Sequence, residues 1–424
     1  MAAWEQDGDP EVQRNYRHNY WMNLLDGTLF WCGSSFIAVR TVLPVYISHF
    51  TSSGLLIGLL SMIATTGWLV PQLFTANWVQ RLPRKKVLPV NLGLFSERLP
   101  VLLMAPSVLL ARRSPTLALT LFFVLLTWHM VGAGLIAVAW QDMIGKIIPA
   151  NRIGRFLGLT NFLGTGTGVL GAWGTAWVLD RHGFPSGYIW CFAVAGILIL
   201  VSWVFLALVR EPAGRDVPER VSDREYWRRL PSVLRSDANF ARYLLSQVVG
   251  ALGGMAIGFL AVYGRERWQL PDSQAGILTA SMLIGQALAN LLFGPLADRR
   301  GHKLVLEVSM LLGVAAMGLA MLAPSPTWLY GVFALLGANS AGMMLSGLMI
   351  ALDFGPADQR ATYIGLNNTV RGVASGLAPL LGGWLATALG YQPLFAASFA
   401  VGLAGLALLR WSVREPRLEP VAVK

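Results

Sequence analysis

Twelve apolar runs of about 20 residues or more, each ended by charge, Gly or Pro, leave this chain little freedom. They fall at roughly 20–48, 53–78, 87–110, 115–143, 154–179, 186–209, 239–263, 274–297, 303–323, 326–352, 360–389 and 391–412. In a bilayer each backbone N–H and C=O has to be satisfied internally, and a continuous run of that length does so as a helix. The spans of a β-barrel are shorter and alternate in polarity, so a barrel is excluded. Only 13% of the 424 residues are charged, about half the share in a soluble domain, which excludes a water-soluble enzyme. The 55% hydrophobic content excludes disorder. The expectation is an all-α integral membrane protein with twelve transmembrane helices.

The net charge of +11 does not point to nucleic acid, because the basic residues sit in short loops between spans. With the N-terminus inside, inner loops and tails hold 23 of the 33 Lys and Arg and outer loops hold 5. That is the positive-inside pattern with both termini cytoplasmic. Residues Met1–Glu11 carry no basic n-region and no small-residue cleavage site, so no cleaved signal peptide is expected. Cys32 and Cys191 lie inside apolar runs and read as packing residues. No phosphate-cradling loop, no His/Cys set with metal spacing and no Gly-x-Ser-x-Gly elbow is present. The chain is therefore expected to be no enzyme and to need no metal or organic cofactor.

The polar segment 210–238 divides six runs from six, and the halves resemble each other. Pro149-Ala-Asn-Arg-Ile-Gly-Arg-Phe-Leu-Gly-Leu-Thr-Asn161 aligns with Pro356-Ala-Asp-Gln-Arg-Ala-Thr-Tyr-Ile-Gly-Leu-Asn-Asn368. Val209-Arg-Glu-Pro212 recurs as Val413-Arg-Glu-Pro416. Parallel repeats of this kind are one transporter design. The expected organisation is a tail 1–19, a bundle 20–209, a linker 210–238, a bundle 239–412 and a tail 413–424.

Gly294-Pro-Leu-Ala-Asp298-Arg299-Arg-Gly301-His-Lys303 closely resembles the cytoplasmic loop signature of the major facilitator superfamily. A His stands at the ninth place. The resemblance covers about Tyr20 to Pro416 and implies two six-helix bundles around a central cavity that opens alternately to each side. In the first half Ala76-Asn-Trp-Val-Gln80-Arg81-Leu-Pro83-Arg84-Lys85 departs from the signature, with Gln80 for the Asp and Pro83 for the second Gly. By that resemblance Asp298 holds the start of the fifth span near Arg152 and Arg155, whereas Gln80 makes only a neutral contact near Arg360. A one-sided latch follows, with Arg81 and Arg299 flanking it. The alternative is that both loops are simple positive-inside anchors. Asp142 and Asp353, at equivalent ends of the fourth and tenth spans, read as gate or loop-binding residues.

Ionisable groups within spans are expensive and usually functional. Asp26, Phe30, Gly33, Ile37 and Arg40 share one stripe if the first span is a continuous helix. The family resemblance makes that span cavity-lining, with Asp26 as a proton-coupling acid; the alternative is a pair or a local cap. Adjacent Glu97 and Arg98 point about 100° apart on an α-helix and should each seek a neighbouring helix. His129 titrates near neutral pH or is a bonded core histidine. Arg371, near mid-depth of the eleventh span beside Asn367 and Asn368, needs a carboxylate or an anionic substrate; Asp26 is one candidate partner. The neutral polar set is Gln247, Gln286, Asn290, Asn339, Ser340 and Asn161, of which Gln286 and Asn290 share a face. The glycines of Gly164–Gly174 suit close packing of the fifth span on a neighbour.

The resulting expectation is a secondary active transporter, proton-coupled and exporting amphipathic small molecules. It sits in a bacterial inner membrane, monomeric, with the bilayer and its substrate as partners and the proton gradient as energy source. Uptake of a polar or anionic solute anchored by Arg40 and Arg371, lipid or lysolipid translocation, and a non-transporting receptor are the rivals.

Overall fold

The computed structural model describes residues 10–213, 234, 237–354 and 360–416. The described residues are helical, with no strand. The first half holds α1 (Pro10–Ser35), α2 (Val42–Ser48) and α3 (Gly54–Gln80), then a composite helix from Leu88 to Arg112 whose central part is α4 (Leu99–Val108). α5 (Pro115–Ile147), α6 (Ala150–His182) and α7 (Ser186–Leu208) complete it. The second half holds α8 (Ala238–Gly253), α9 (Leu260–Trp268), α10 (Gln274–Arg300), α11 (His302–Leu322), α12 (Trp328–Phe354), α13 (Arg360–Leu389) and α14 (Tyr391–Ser412).

The expected spans all appear, with differences that the local chemistry explains. Among the described residues the first helix runs back to Pro10, past the expected limit near residue 20, and Asn19 within it bonds to the chain after α7. It stops at Ser35, and a turn over Phe36–Thr41 precedes the short α2. α5 starts on Pro115, whose missing N–H costs nothing at that position. Gly183, Gly301 and Gly390, all at positive φ, separate successive helices. Asp237 caps α8 by accepting from the amide of Phe240 at 2.8 Å. Most of the linker 210–238 lies outside the described residues.

Ten helices among the described residues are long and apolar enough to cross a membrane. α1 and α6 are the more polar pair, and they pack on each other. Thr167 Oγ donates to the Thr28 carbonyl at 3.0 Å, and Gly164, Gly171 and Gly174 abut Trp31, the Cys32 carbonyl and Phe36. The glycine run was expected to serve close packing, and its neighbour is the first helix.

Two compact units result. One takes the described residues of Met1–Phe50, Ile63–Glu219 and Pro271–Ala280; the other takes those of Thr51–Met62, Arg220–Leu270 and Ser281–Lys424. The expected cut at the linker is thus modified twice, since each unit includes a short piece of the other half's sequence. In the first unit, Phe50, Phe122, Tyr188 and Phe192 surround the buried ring of Tyr46. In the second, Phe240, Tyr243, Leu306, Ile350 and Leu409 form a core.

Candidate functional site

The helix from Leu88 to Arg112 carries Pro89, Pro100 and Pro106, and it is not a regular α-helix. Two π-helical turns, Leu88–Leu92 and Leu94–Arg98, open it. Pro100 has no N–H to offer the Ser96 carbonyl four residues back, and the turn before it is wide, with the Leu99 amide donating to the Leu94 carbonyl five residues back. Gly132 of α5 presses against that same Ser96 carbonyl. Such π segments concentrate at functional sites, and this one presents a buried charge cluster.

Glu97 and Arg98 pair with each other, contrary to the expectation of separate partners. The wider turn reduces the angle between successive side chains, so neighbours that diverge on an α-helix converge here. The Arg98 guanidinium also lies over the Phe30 ring, 5.7 Å from its centroid, and it interacts electrostatically with Asp26. Ser202 Oγ of α7 donates to Asp26 Oδ1 at 2.8 Å. His129 Nδ1 of α5 donates to the Glu97 carbonyl at 2.7 Å, which fixes the proton on that nitrogen. Asp26, Glu97, Arg98, His129 and Ser202 are all buried. Arg98 Nε has no hydrogen-bond partner among the described residues. Two carboxyl groups, one guanidinium and one imidazole therefore share one buried volume in the first unit.

The expected stripe on the first span is corrected in two respects. Gly33 packs against Ala195 and Ile199, so with Asp26 it faces α7. Arg40 lies beyond the end of α1, in the turn before α2, and is not on the same helical face. Asp26 takes its partners, Ser202 and Arg98, from its own unit.

In the second unit two of the expected cavity residues are engaged with backbone. Asn339 Nδ2 donates to the Ser309 carbonyl at 2.7 Å, and Asn367 Nδ2 to the Gly347 carbonyl at 3.0 Å. Gln286 is half-buried, and Asn290 and Asn368 are exposed. Asp298, Arg299, Arg81, Arg152 and Arg155 are exposed, and Arg152 lies over the Tyr16 ring at 4.8 Å. The side chains of Gln80 and Arg360 lie outside the described residues. Asp142 reaches Lys85 at 3.9 Å.

The repeated tetrapeptide has a structural role that its sequence did not declare. Glu211, with its side chain fully buried, accepts from the amides of Lys85 (2.9 Å) and Lys86 (2.7 Å) and from Lys146 Nζ (3.0 Å). Glu415 accepts from the Lys303 amide at 3.3 Å and lies against Gly301. Asn19 exchanges two 2.8 Å bonds with the peptide of Arg210, and Asn239 does the same with Arg414 at 3.1 and 2.9 Å. Each half thus straps its last helix to its first helix and to its basic loop. Burial pushes the ammonium groups of Lys85 and Lys86 below the usual lysine range, against the pull of Glu211.

These features define a polytopic helical protein with an internal repeat and buried charge in its spans. The family model described as Major Facilitator Superfamily matches residues 20–267 and 243–424, and the chain belongs to that superfamily of membrane transporters. It is 30% identical over 155 residues to the putative transporter SVOPL of Homo sapiens, covering 34% of this chain and 31% of that protein. It is 26% identical over 200 residues to the efflux pump apf11 of Gibberella fujikuroi, covering 47% and 35%. The matched stretches thus span about a third of these relatives. Among solved structures, a variant of the nucleoside transporter NupG superposes with a TM-score of 0.72 at 14% identity over 92% of this chain and 99% of that one; at that identity the likeness concerns the fold.

Proposed function

We propose that this transporter couples movement of a small amphipathic organic molecule to movement of a proton, in the sense of export, and that the Asp26–Glu97–Arg98–His129 cluster carries the proton. The observation that supports this is the charge count of the cluster. With both carboxylates ionised, the histidine neutral and Arg98 cationic, it holds one net negative charge in a place where an uncompensated charge costs about 3 kcal/mol on insertion scales. One proton brings it to neutrality, and Asp26, which accepts one hydroxyl hydrogen bond from Ser202, is the carboxyl group not paired directly with Arg98. Export is supported by the similarity to an efflux pump and by the acidic group on the first helix. The basic loops support a plasma-membrane location with both termini in the cytoplasm.

The test is accumulation of a panel of anionic, neutral and cationic dyes in cells lacking other exporters. Cells with the wild-type chain are expected to retain less of at least one dye, and either a proton uncoupler or Asp26→Asn should abolish the difference. Wild-type export that survives both treatments would remove the proton from the reading. Exchange of dye at equal concentrations, which needs no net proton movement, should survive in Asp26→Asn.

A further inference from the structure

Arg371 lies in α13 with its guanidinium against Gly347 of α12; a Cβ placed on Gly347 would stand 3.2 Å from Cζ and 3.5 Å from Nη2. Among the described residues it makes no ion pair and no hydrogen bond. A guanidinium keeps its charge under all accessible conditions, so a cation within a span without a counter-charge is a place for an anion.

Its surroundings supply the rest of a binding site, all within the second unit. One turn before it on α13, Asn367 is fully buried; its Nδ2 is held by the Gly347 carbonyl while its Oδ1 has no partner among the described residues. The same carbonyl accepts from Tyr243 Oη of α8 at 3.4 Å, and Tyr243 interacts electrostatically with Arg371. One turn beyond Tyr243 on α8 is Gln247, 1% exposed, with neither Nε2 nor Oε1 finding a hydrogen-bond partner among the described residues. A buried primary amide with neither atom satisfied is costly. The Gln247 amide and the Asn367 carbonyl oxygen, on helices that pack against each other, lie near a guanidinium with no ion pair among the described residues and form a consistent donor and acceptor set. The arginine itself is only partly buried, so a ligand can reach it.

We infer that Arg371, Gln247 and Asn367 form the head-group site of the cargo, and that the cargo carries a planar or compact organic oxyanion, a carboxylate or sulfonate. The guanidinium takes two oxygens of the anion in its fork. Gln247 Nε2 adds a donor, and Gln247 Oε1 and Asn367 Oδ1 accept from an N–H or O–H group next to the anion. Met343, one turn from Gly347 on α12 and packed against the core of this unit, offers an adaptable apolar wall for the body of the molecule. The inference rests on the transport reading above and names the chemical class of its cargo.

The experiment uses the purified full-length chain with three probes that share one apolar body: naphthalenesulfonate, naphthalenesulfonamide and a naphthyl trimethylammonium. Binding is read by thermal shift and by tryptophan fluorescence, and proton movement is read in proteoliposomes holding a pH-sensitive dye. The sulfonate is expected to raise the melting temperature by several degrees, and the neutral and cationic probes are not. Arg371→Gln should weaken sulfonate binding at least tenfold, with Arg371→Lys in between. Gln247→Leu should raise the melting temperature of the ligand-free protein while weakening the sulfonate several-fold, a pairing that a purely structural glutamine would not give. If Arg371→Gln does not fold, Gly347→Ala displaces the guanidinium and decides the point in the same way. Equal sulfonate binding by wild type and these variants, equal binding of all three probes, or no binding by any probe overturns the anion site. Arginine-dependent binding with no proton movement leaves the site standing and overturns the coupling; proton movement driven alike by all three probes does the reverse.

Discussion

Gly132 shows how much a single hydrogen atom in place of a methyl group can fix. A Cβ there would overlap the Ser96 carbonyl and stand 2.7 Å from Ser96 Cβ, so α5 could no longer lie against the π turn that presents Glu97 and Arg98. Overpacking of this kind costs about 1–3 kcal/mol. Gly145, on the same helix, has open space where its Cβ would stand, and alanine there relieves a helix of the entropy of glycine, worth about 0.5–1 kcal/mol. Gly132→Ala should therefore lower the melting temperature of the purified protein and Gly145→Ala should hold or raise it. Equal effects would mean that the π turn is not held by this contact. The sequence made Asp26, Glu97, Arg98 and His129 visible at once, because charge inside a span is rare. Their pairing was not visible, since it depends on a wide turn that α-helical geometry does not anticipate. Pro100 was the signal that could have revealed it, because it strips one carbonyl of its donor. Ser202 carries no charge and gave no signal at all.

At the scale of elements, the two straps explain a repeat that the sequence displayed without its purpose. Glu211 and Glu415 stand in the same tetrapeptide, and each holds the loop that follows the second apolar span of its half, α3 or α10. They differ where the loops differ. Gly301 adopts φ 87° with its Cα against the Glu415 carboxylate, a conformation closed to the Pro83 of the first half. The first half compensates with Lys146, which bonds both the Pro83 carbonyl and Glu211 at 3.0 Å. Glu211→Gln keeps an acceptor but removes the charge from three bonds, at a cost of about 2 kcal/mol. The amides of Lys85 and Lys86 should then exchange hydrogen faster, with those at Lys303 unaffected; unchanged exchange would deny the strap its role. The pH dependence has a definite sign. Lysines held below the ordinary value of 10.5 release protons on folding, so their contribution grows as pH rises through the folded values toward 10.5 and is lost as pH falls below them. Neutralising Glu211 removes a charge that opposes this depression and should strengthen that dependence.

On the scale of the whole molecule, the order and approximate limits of the apolar spans were legible, because hydrophobic runs of this length have one solution in a bilayer. The composition of the compact units was not, because it depends on contacts between residues more than 80 positions apart. Residues 271–280 join the first unit through such contacts. Asp272 Oδ2 accepts from His49 Nε2 at 2.5 Å and from Tyr188 Oη at 3.0 Å, and the His49 ring is stacked on Phe184 at 4.1 Å. Ser273 Oγ donates to Asp180 at 3.4 Å, Thr279 bonds Thr41 at 2.5 Å, and Gly276 fits against the backbone of Ala172 and Ala176. None of these residues stands out in sequence. If the carboxylate of Asp272 is what holds the segment, Asp272→Asn should speed hydrogen exchange across residues 275–279 about tenfold, the equivalent of one lost charged bond. His49→Phe, which keeps the stack on Phe184 and removes the bond, should give most of the same increase, while residues 302–322 in the second unit remain as protected as before. Faster exchange in both regions would point to general destabilisation instead. No change in either variant would leave the fit of Gly276 as the contact that matters, and Gly276→Ala would then be the substitution that frees the segment.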